Sequence, residues 1–185
     1  GYRMLLKLAM DLSSNGTVCA ILAKTSVRLG DRKTGLKFAR KAVKLIPEDS
    51  QAWRLLGHIY YMIGQLPEAL AALQQAVEVD PNSAEALMLL AVIKSDLNHD
   101  TSATEALSRR AVQADPANLR AWQWLAAHLE ANGKSEESDQ AHARYCELKL
   151  GDNAQWIRDD NGTPMVALVK KGAELDLDES DLTEL

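Results

Sequence analysis

The sequence predicts an all-α chain in which helical hairpins stack on one another, and three observations predict it. The composition is 46% hydrophobic but only 5% aromatic, with five prolines, which suits helices packed through Ala and Leu. Side chains of one kind then return at intervals of about 34 residues. Leu22, Leu56, Leu90 and, after one extra residue, Leu125 form one series. Cys19, Trp53, Leu87 and Trp122 form a second, and Ala42, Ala76 and Ala111 a third. Finally, the breaks recur in the same register. Gly30, Gly64, Asn98 and Gly133 suit a left-handed helix end, and Pro47, Pro81 and Pro116 stop the helix that follows.

The clearest period lies between Trp53 and Pro81. Trp53, Leu56 and Tyr60 are three and four residues apart, so they share one face of a first helix. Gly57 lacks a side chain and lets a second helix approach. Ala69, Leu73 and Ala76 supply the matching stripe, and Asp80-Pro81 ends it. Sliding this register gives four repeats, at 16–49, 50–83, 84–118 and 119–152. Residues 1–15 carry Leu5, Leu8 and Leu12 at helical spacing and read as a cap or as the second helix of a preceding repeat. The third repeat holds the inserted residue within Asn98–Ser102, and Ser108 stands where a large apolar residue is expected, which predicts a longer, more mobile turn. In the fourth, the second helix is polar and Tyr145 occupies a position usually given to a small residue.

From Gly151 the period stops. Ala154–Arg158 is expected as a short helix presenting Trp156 and Ile157 to the open end of repeat four, because a terminal repeat needs a cap. Met165–Val169 is too short to classify by period. Residues 153–185 thus read as a non-repeat cap and an acidic tail.

Charge is unevenly distributed. Residues 1–46 hold ten Lys/Arg against two Asp/Glu, whereas residues 172–185 hold six Asp/Glu and no base. Such asymmetry signals a partner or self-association. The basic run Arg32, Lys33, Lys37, Arg40, Lys41 and Lys44 has only Phe38 as an aromatic, so it reads as a solvated face or the landing site of an acid-rich partner, not a nucleic-acid surface. The longest apolar run, Ala86 to Ile93, falls short of the ~18 residues of a membrane span. Cys19 and Cys146 read as buried small apolar residues. His58, His99, His128 and His142 show no metal-binding spacing, and no phosphate loop, nucleophile elbow or paired catalytic acids occur. No catalytic residue, metal or cofactor is therefore expected.

The pattern Trp53, Leu56-Gly57, Tyr60, Ala69, Leu73, Ala76, Pro81 resembles the tetratricopeptide repeat (TPR) signature, with Leu73 where that signature prefers Phe. The resemblance covers residues 16–150 and implies a right-handed superhelix whose first helices line a concave groove for extended or helical peptides. The residues it places in that groove are Lys24, Arg28, Gln51, Arg54, His58, Tyr61 and Met62, then Glu85, Met88, Val92 and Ser95, then Arg120, Gln123, Trp124 and Ala127. The subclass that clamps chaperone C-termini requires Asn residues where this chain has Ala, His or Leu, so that role is not expected. A groove basic at one end and apolar at the other suits a ligand with both acidic and apolar residues. The competing reading of Arg54 is an ion pair with Glu85, and that of Trp124 is packing against the C-terminal cap.

The resemblance thus points to a protein–protein interaction scaffold, an assembly factor or chaperone. Free-standing proteins that look similar serve cytochrome c maturation, pilus biogenesis and type III secretion. Two alternatives stand beside it: self-association, with the acidic tail on the basic first repeat, and a recruiting domain of a larger enzyme, which the half repeat at residues 1–15 and the non-Met start suggest.

Overall fold

In a computed structural model, the protein is described over residues 14–98, 101–151, 154–158, 164–170 and 173–174. The expectations for residues 1–13, for the turn at 99–100 and for the tail from Leu175 onward lie outside the described residues. The chain divides into two compact units, Gly1–Ala114 and Asp115–Leu185.

The first unit holds three consecutive hairpins: α1 (Gly16–Arg28) with α2 (Arg32–Leu45), α3 (Ser50–Met62) with α4 (Leu66–Val79), and α5 (Ala84–Asn98) with α6 (Thr101–Ala114). The first three helices begin for a local reason. The Asn15 side chain accepts from Thr17 N at 2.9 Å, Asp31 from Thr34 N at 3.0 Å and Asp49 from Gln51 N at 2.8 Å, satisfying amides that the first turn leaves open. Two of the hairpin turns here, and that of the second unit, end on a glycine with positive φ: Gly30 at 84°, Gly64 at 78° and Gly133 at 73°. Around Gly64 the amide of Gln65 reaches Tyr60 O at 2.9 Å and that of Gly64 reaches Tyr61 O at 3.0 Å, closing the helix in a Schellman motif.

Within this unit α2 packs on α3, α4 on α5, and the first helices α1, α3 and α5 lie side by side. The core follows the predicted stripe: Cys19, Ala42, Leu56, Tyr60, Ala69, Leu73, Ala76, Leu87 and Leu90 are buried, whereas Leu22, in the same leucine series, is only half buried on the first helix. Ser50 joins the hairpins, its hydroxyl donating to Ala76 O at 2.9 Å. Trp53 is only half buried, and its Nε1 donates to Pro47 O at 2.8 Å, tying α3 to the turn that follows α2.

The second unit pairs α7 (Leu119–Ala131) with α8 (Ser135–Leu150). Trp122 repeats the Trp53 contact, donating to Pro116 O at 2.9 Å. Ser138 donates to Ala126 O at 3.0 Å across the hairpin, and Leu125 and Cys146 are buried. Beyond α8 comes a correction. Ala154–Arg158, expected as a short helix, is strand β1, paired antiparallel with β2 (Pro164–Lys170), which pairs with β3 (Ala173–Glu174). The reason is geometric. In a strand, Trp156 and Arg158 point the same way, and both donate to Asp139 of α8: Trp156 Nε1 at 2.9 Å and Arg158 Nε at 2.8 Å. A helical turn would send these two side chains to different faces.

Candidate functional site

The first unit has a cavity of about 430 Å³ along α1 and α3, closed at one corner by Glu85 at the start of α5. Its apolar lining comes from Ala20, Ile21, Val27 and Leu55, and its polar lining from Thr17, Lys24, Arg28, Gln51, Arg54 and His58. Helical spacing explains the grouping. Ile21, Lys24 and Arg28 are three and four residues apart on α1, and Gln51, Arg54, Leu55 and His58 repeat the arrangement on α3. Ile21 is 61% exposed, a large aliphatic side chain held in water at the rim of a pocket. Six residues assigned to the groove, Lys24, Arg28, Gln51, Arg54, His58 and Glu85, therefore come together here.

The cations differ in state. Arg54 is occupied: one terminal nitrogen meets Glu85 Oε2 at 3.0 Å, while Nε and the other terminal nitrogen hold Gln51 Oε1 at 2.9 and 2.7 Å. The competing reading of Arg54, an ion pair with Glu85, is thus the arrangement present. Lys24 and Arg28 are exposed and have no carboxylate within ion-pairing range among the described residues.

Other assigned residues are placed elsewhere. Tyr61 is half buried near Asp96 of α5, and burial, then the Asp96 charge and hydrogen bond, push its phenol pKa up. Met62 ends α3, where its carbonyl accepts from Arg32 at 3.2 Å. Val92 and Ser95 are half buried on α5, outside the cavity lining. Met88 is 3% exposed and belongs to the core, because α5 has apolar side chains on nearly every face from Ala86 to Ala91. In the second unit, Arg120 and Gln123 are exposed on α7. Trp124 there is half buried, and its indole nitrogen is shielded without a hydrogen-bond partner among the described residues.

Sequence reasoning passed over two features. Ile21, Val27 and Leu55 give the cavity its apolar wall, yet nothing in the period separates them from core residues. The Asp139 cluster was equally hidden. His142 stacks on Trp156 with ring centroids 4.1 Å apart, and Glu130 lies 3.8 Å from His142 and 3.7 Å from Arg158. The Arg158 hydrogen bond holds the Asp139 carboxyl below the usual aspartate range, with Trp156 adding to the effect against burial. Burial pushes His142 down, against the charges of Glu130 and Asp139.

A family profile described as the cytochrome c-type biogenesis protein H TPR domain matches residues 36–153. Among curated proteins, the BBSome complex member bbs-4 of Caenorhabditis elegans is 25% identical over 115 residues, covering 62% of this chain and 24% of its own length. The PEX5-related protein of Mus musculus is 36% identical over 78 residues, covering 42% of this chain and 14% of its own. The chain therefore spans a quarter or less of these relatives. Among solved structures, MamA superposes with a TM-score of 0.68 at 21% identity, over 80% of this chain and 86% of that one. MamA from Desulfovibrio magneticus RS-1 gives 0.67 at 20% identity, over 82% and 85%. Identity at that level speaks for the fold alone. Helices joined in consecutive hairpins, with a profile match running from α2 into the residues beyond α8, make this chain a member of the TPR family.

Proposed function

We propose that this TPR chain, a protein–protein interaction module, seats a segment of another protein in the cavity along α1 and α3. An acidic side chain of the guest meets Lys24 and Arg28, and an apolar neighbour lies on Ile21, Val27 and Leu55. The observation that carries this reading is a pair of cations with no carboxylate in ion-pairing range among the described residues, beside an apolar lining from which Ile21 stays exposed. An apolar anchor supplies affinity, and the charges steer and orient it. Arg54 is a positioning residue: held by Glu85 and Gln51, it keeps α3 and α5 in register at the cavity corner. Tyr61, Met62, Val92 and Ser95 extend the guest's contact further along the unit, whereas Met88 is too deeply buried to take part.

The matched family is named for cytochrome c-type biogenesis. That favours an assembly factor or chaperone whose guest is a protein being built into a complex. Catalysis has no part in the proposal.

The test is an array of short peptides combining Asp or Glu with Leu, Ile or Val, with the best binder measured by fluorescence anisotropy. Lys24→Glu with Arg28→Glu should weaken that binder by about tenfold or more. Unchanged affinity in the double variant, with helicity intact by circular dichroism, rejects the cavity as the guest site.

A further inference from the structure

The outer side of the first hairpin carries a charge pattern that the cavity does not use. On α2, Lys33, Lys37, Arg40 and Lys44 follow one another at helical spacing and form a single stripe, and all four are exposed. At ~1.5 Å per residue the stripe runs about 16 Å. Between Gly16 and Pro47 the chain has eight Lys/Arg and one carboxylate, Asp31, and that carboxylate caps α2 through Thr34 N at 3.0 Å. Lys33, Lys37 and Lys44 have no ion-pair partner among the described residues. Arg40 is fixed along the stripe by its bond to Tyr60 Oη at 2.9 Å. The opposite face of α2 buries Phe38, Ala39, Ala42 and Val43, so the stripe stays turned to solvent.

We propose that this stripe is a second docking surface, for an extended polypeptide segment of a partner that carries carboxylates at alternate positions. In an extended chain alternate side chains lie on one side and repeat about every 6.6–6.8 Å. Lys33 and Lys37 are about 6 Å apart along the helix axis, close to one alternate step, and the whole stripe matches about five extended residues. Such a segment brings three carboxylates onto the four cations without the chain changing conformation. Nucleic acid fits less well, because bases need aromatic platforms and Phe38 and Tyr60 are both buried. A lipid surface fits less well, because Leu45 at the helix end is the sole large apolar side chain that α2 exposes among the described residues. The α2 helix contributes nothing to the cavity lining, so this surface stands or falls apart from the proposed guest site.

The test uses the full chain and a labelled synthetic peptide alternating Glu with Ser, read by fluorescence anisotropy. The peptide should bind, and binding should weaken as salt is raised. Lys33→Gln with Lys37→Gln and Lys44→Gln should lower its affinity by about tenfold, equivalent to about 1.4 kcal/mol. The cavity variant Lys24→Gln with Arg28→Gln should lower it less than the triple variant does, because the Ser residues give the apolar wall nothing to hold; an equal or larger loss overturns the assignment to the stripe. No binding by the parent chain, or equal binding by the triple variant, overturns the proposal. A peptide with the same Glu residues gathered in one block should bind more weakly; equal binding removes the matched spacing. If single-stranded oligonucleotide or phosphatidylglycerol vesicles lose binding in the triple variant while the peptide does not, the polypeptide assignment is overturned.

Discussion

Gly57 offers the sharpest test of how these hairpins are built. Adding a Cβ there places it 2.6 Å from Leu73 Cγ, 3.1 Å from Leu73 Cδ2 and 3.2 Å from Ala69 O. Leu73 is fully buried, so it cannot swing aside. Overpacking of this kind costs about 1–3 kcal/mol. The better helix propensity of Ala offsets about 1 kcal/mol of it. Gly57→Ala should therefore destabilise the chain by up to about 2 kcal/mol. Leu73→Ala alone leaves a void and should cost about 2–5 kcal/mol. In that background the new methyl faces space where the leucine stood, and only the propensity gain and the Ala69 carbonyl contact remain. There Gly57→Ala should become neutral or stabilising by up to ~1 kcal/mol, a favourable coupling of about 2 kcal/mol. Urea unfolding followed by far-ultraviolet circular dichroism reads all four corners of the cycle, provided the slopes agree. An equal penalty for Gly57→Ala in both backgrounds would refute close approach as the reason for the glycine.

Two further outcomes follow from the second unit. Trp122→Phe removes the bond from Nε1 to Pro116 O at 2.9 Å and should lower stability by about 0.5–1 kcal/mol by urea titration, with no effect if that bond is idle. The β1 contact with α8 should loosen in two stages as pH falls. His142 has a lowered pKa, so the stability from its neutral form is present above about pH 6.5 and is lost as pH drops through its folded value, opposed by Glu130 and Asp139. Asp139 is also lowered, so its contribution is present above about pH 3.9 and disappears only as pH falls through a still lower value. The indole N–H resonance of Trp156 reports both stages, and Asp139→Asn should shift it at neutral pH and remove the acid stage. A Trp156 signal unmoved by Asp139→Asn would show that the carboxylate does not hold the strand.

How the stack is assembled was legible because its determinants are local. Asp31, Asp49 and Asn118 cap helices through amides two or three residues away. Gly30, Gly64 and Gly133 meet a backbone requirement that few other residues tolerate. Leu56, Leu90 and Leu125, like Ala42, Ala76 and Ala111, are buried in successive hairpins, so one register accounts for them. None of these depends on a distant part of the chain.

The candidate site was half legible for the opposite reason. Spacing on α1 and α3 brought Lys24, Arg28, Arg54 and His58 to one surface. That Arg54 is already paired depends on Glu85, 31 positions further along the chain and adjacent only once α3 lies beside α5. Burial of Met88 and exposure of Ile21 likewise depend on what surrounds each helix, since both are apolar residues at helical spacing. Ala154–Arg158 is a strand because Asp139, on a helix already formed, draws Trp156 and Arg158 to the same side. By itself the sequence determined the helices, their turns and their repeating contact faces, since each arises from neighbours along the chain. Only the tertiary structure decided which charges stay open and how the chain leaves its last helix, because those outcomes are set by partners that packing brings together.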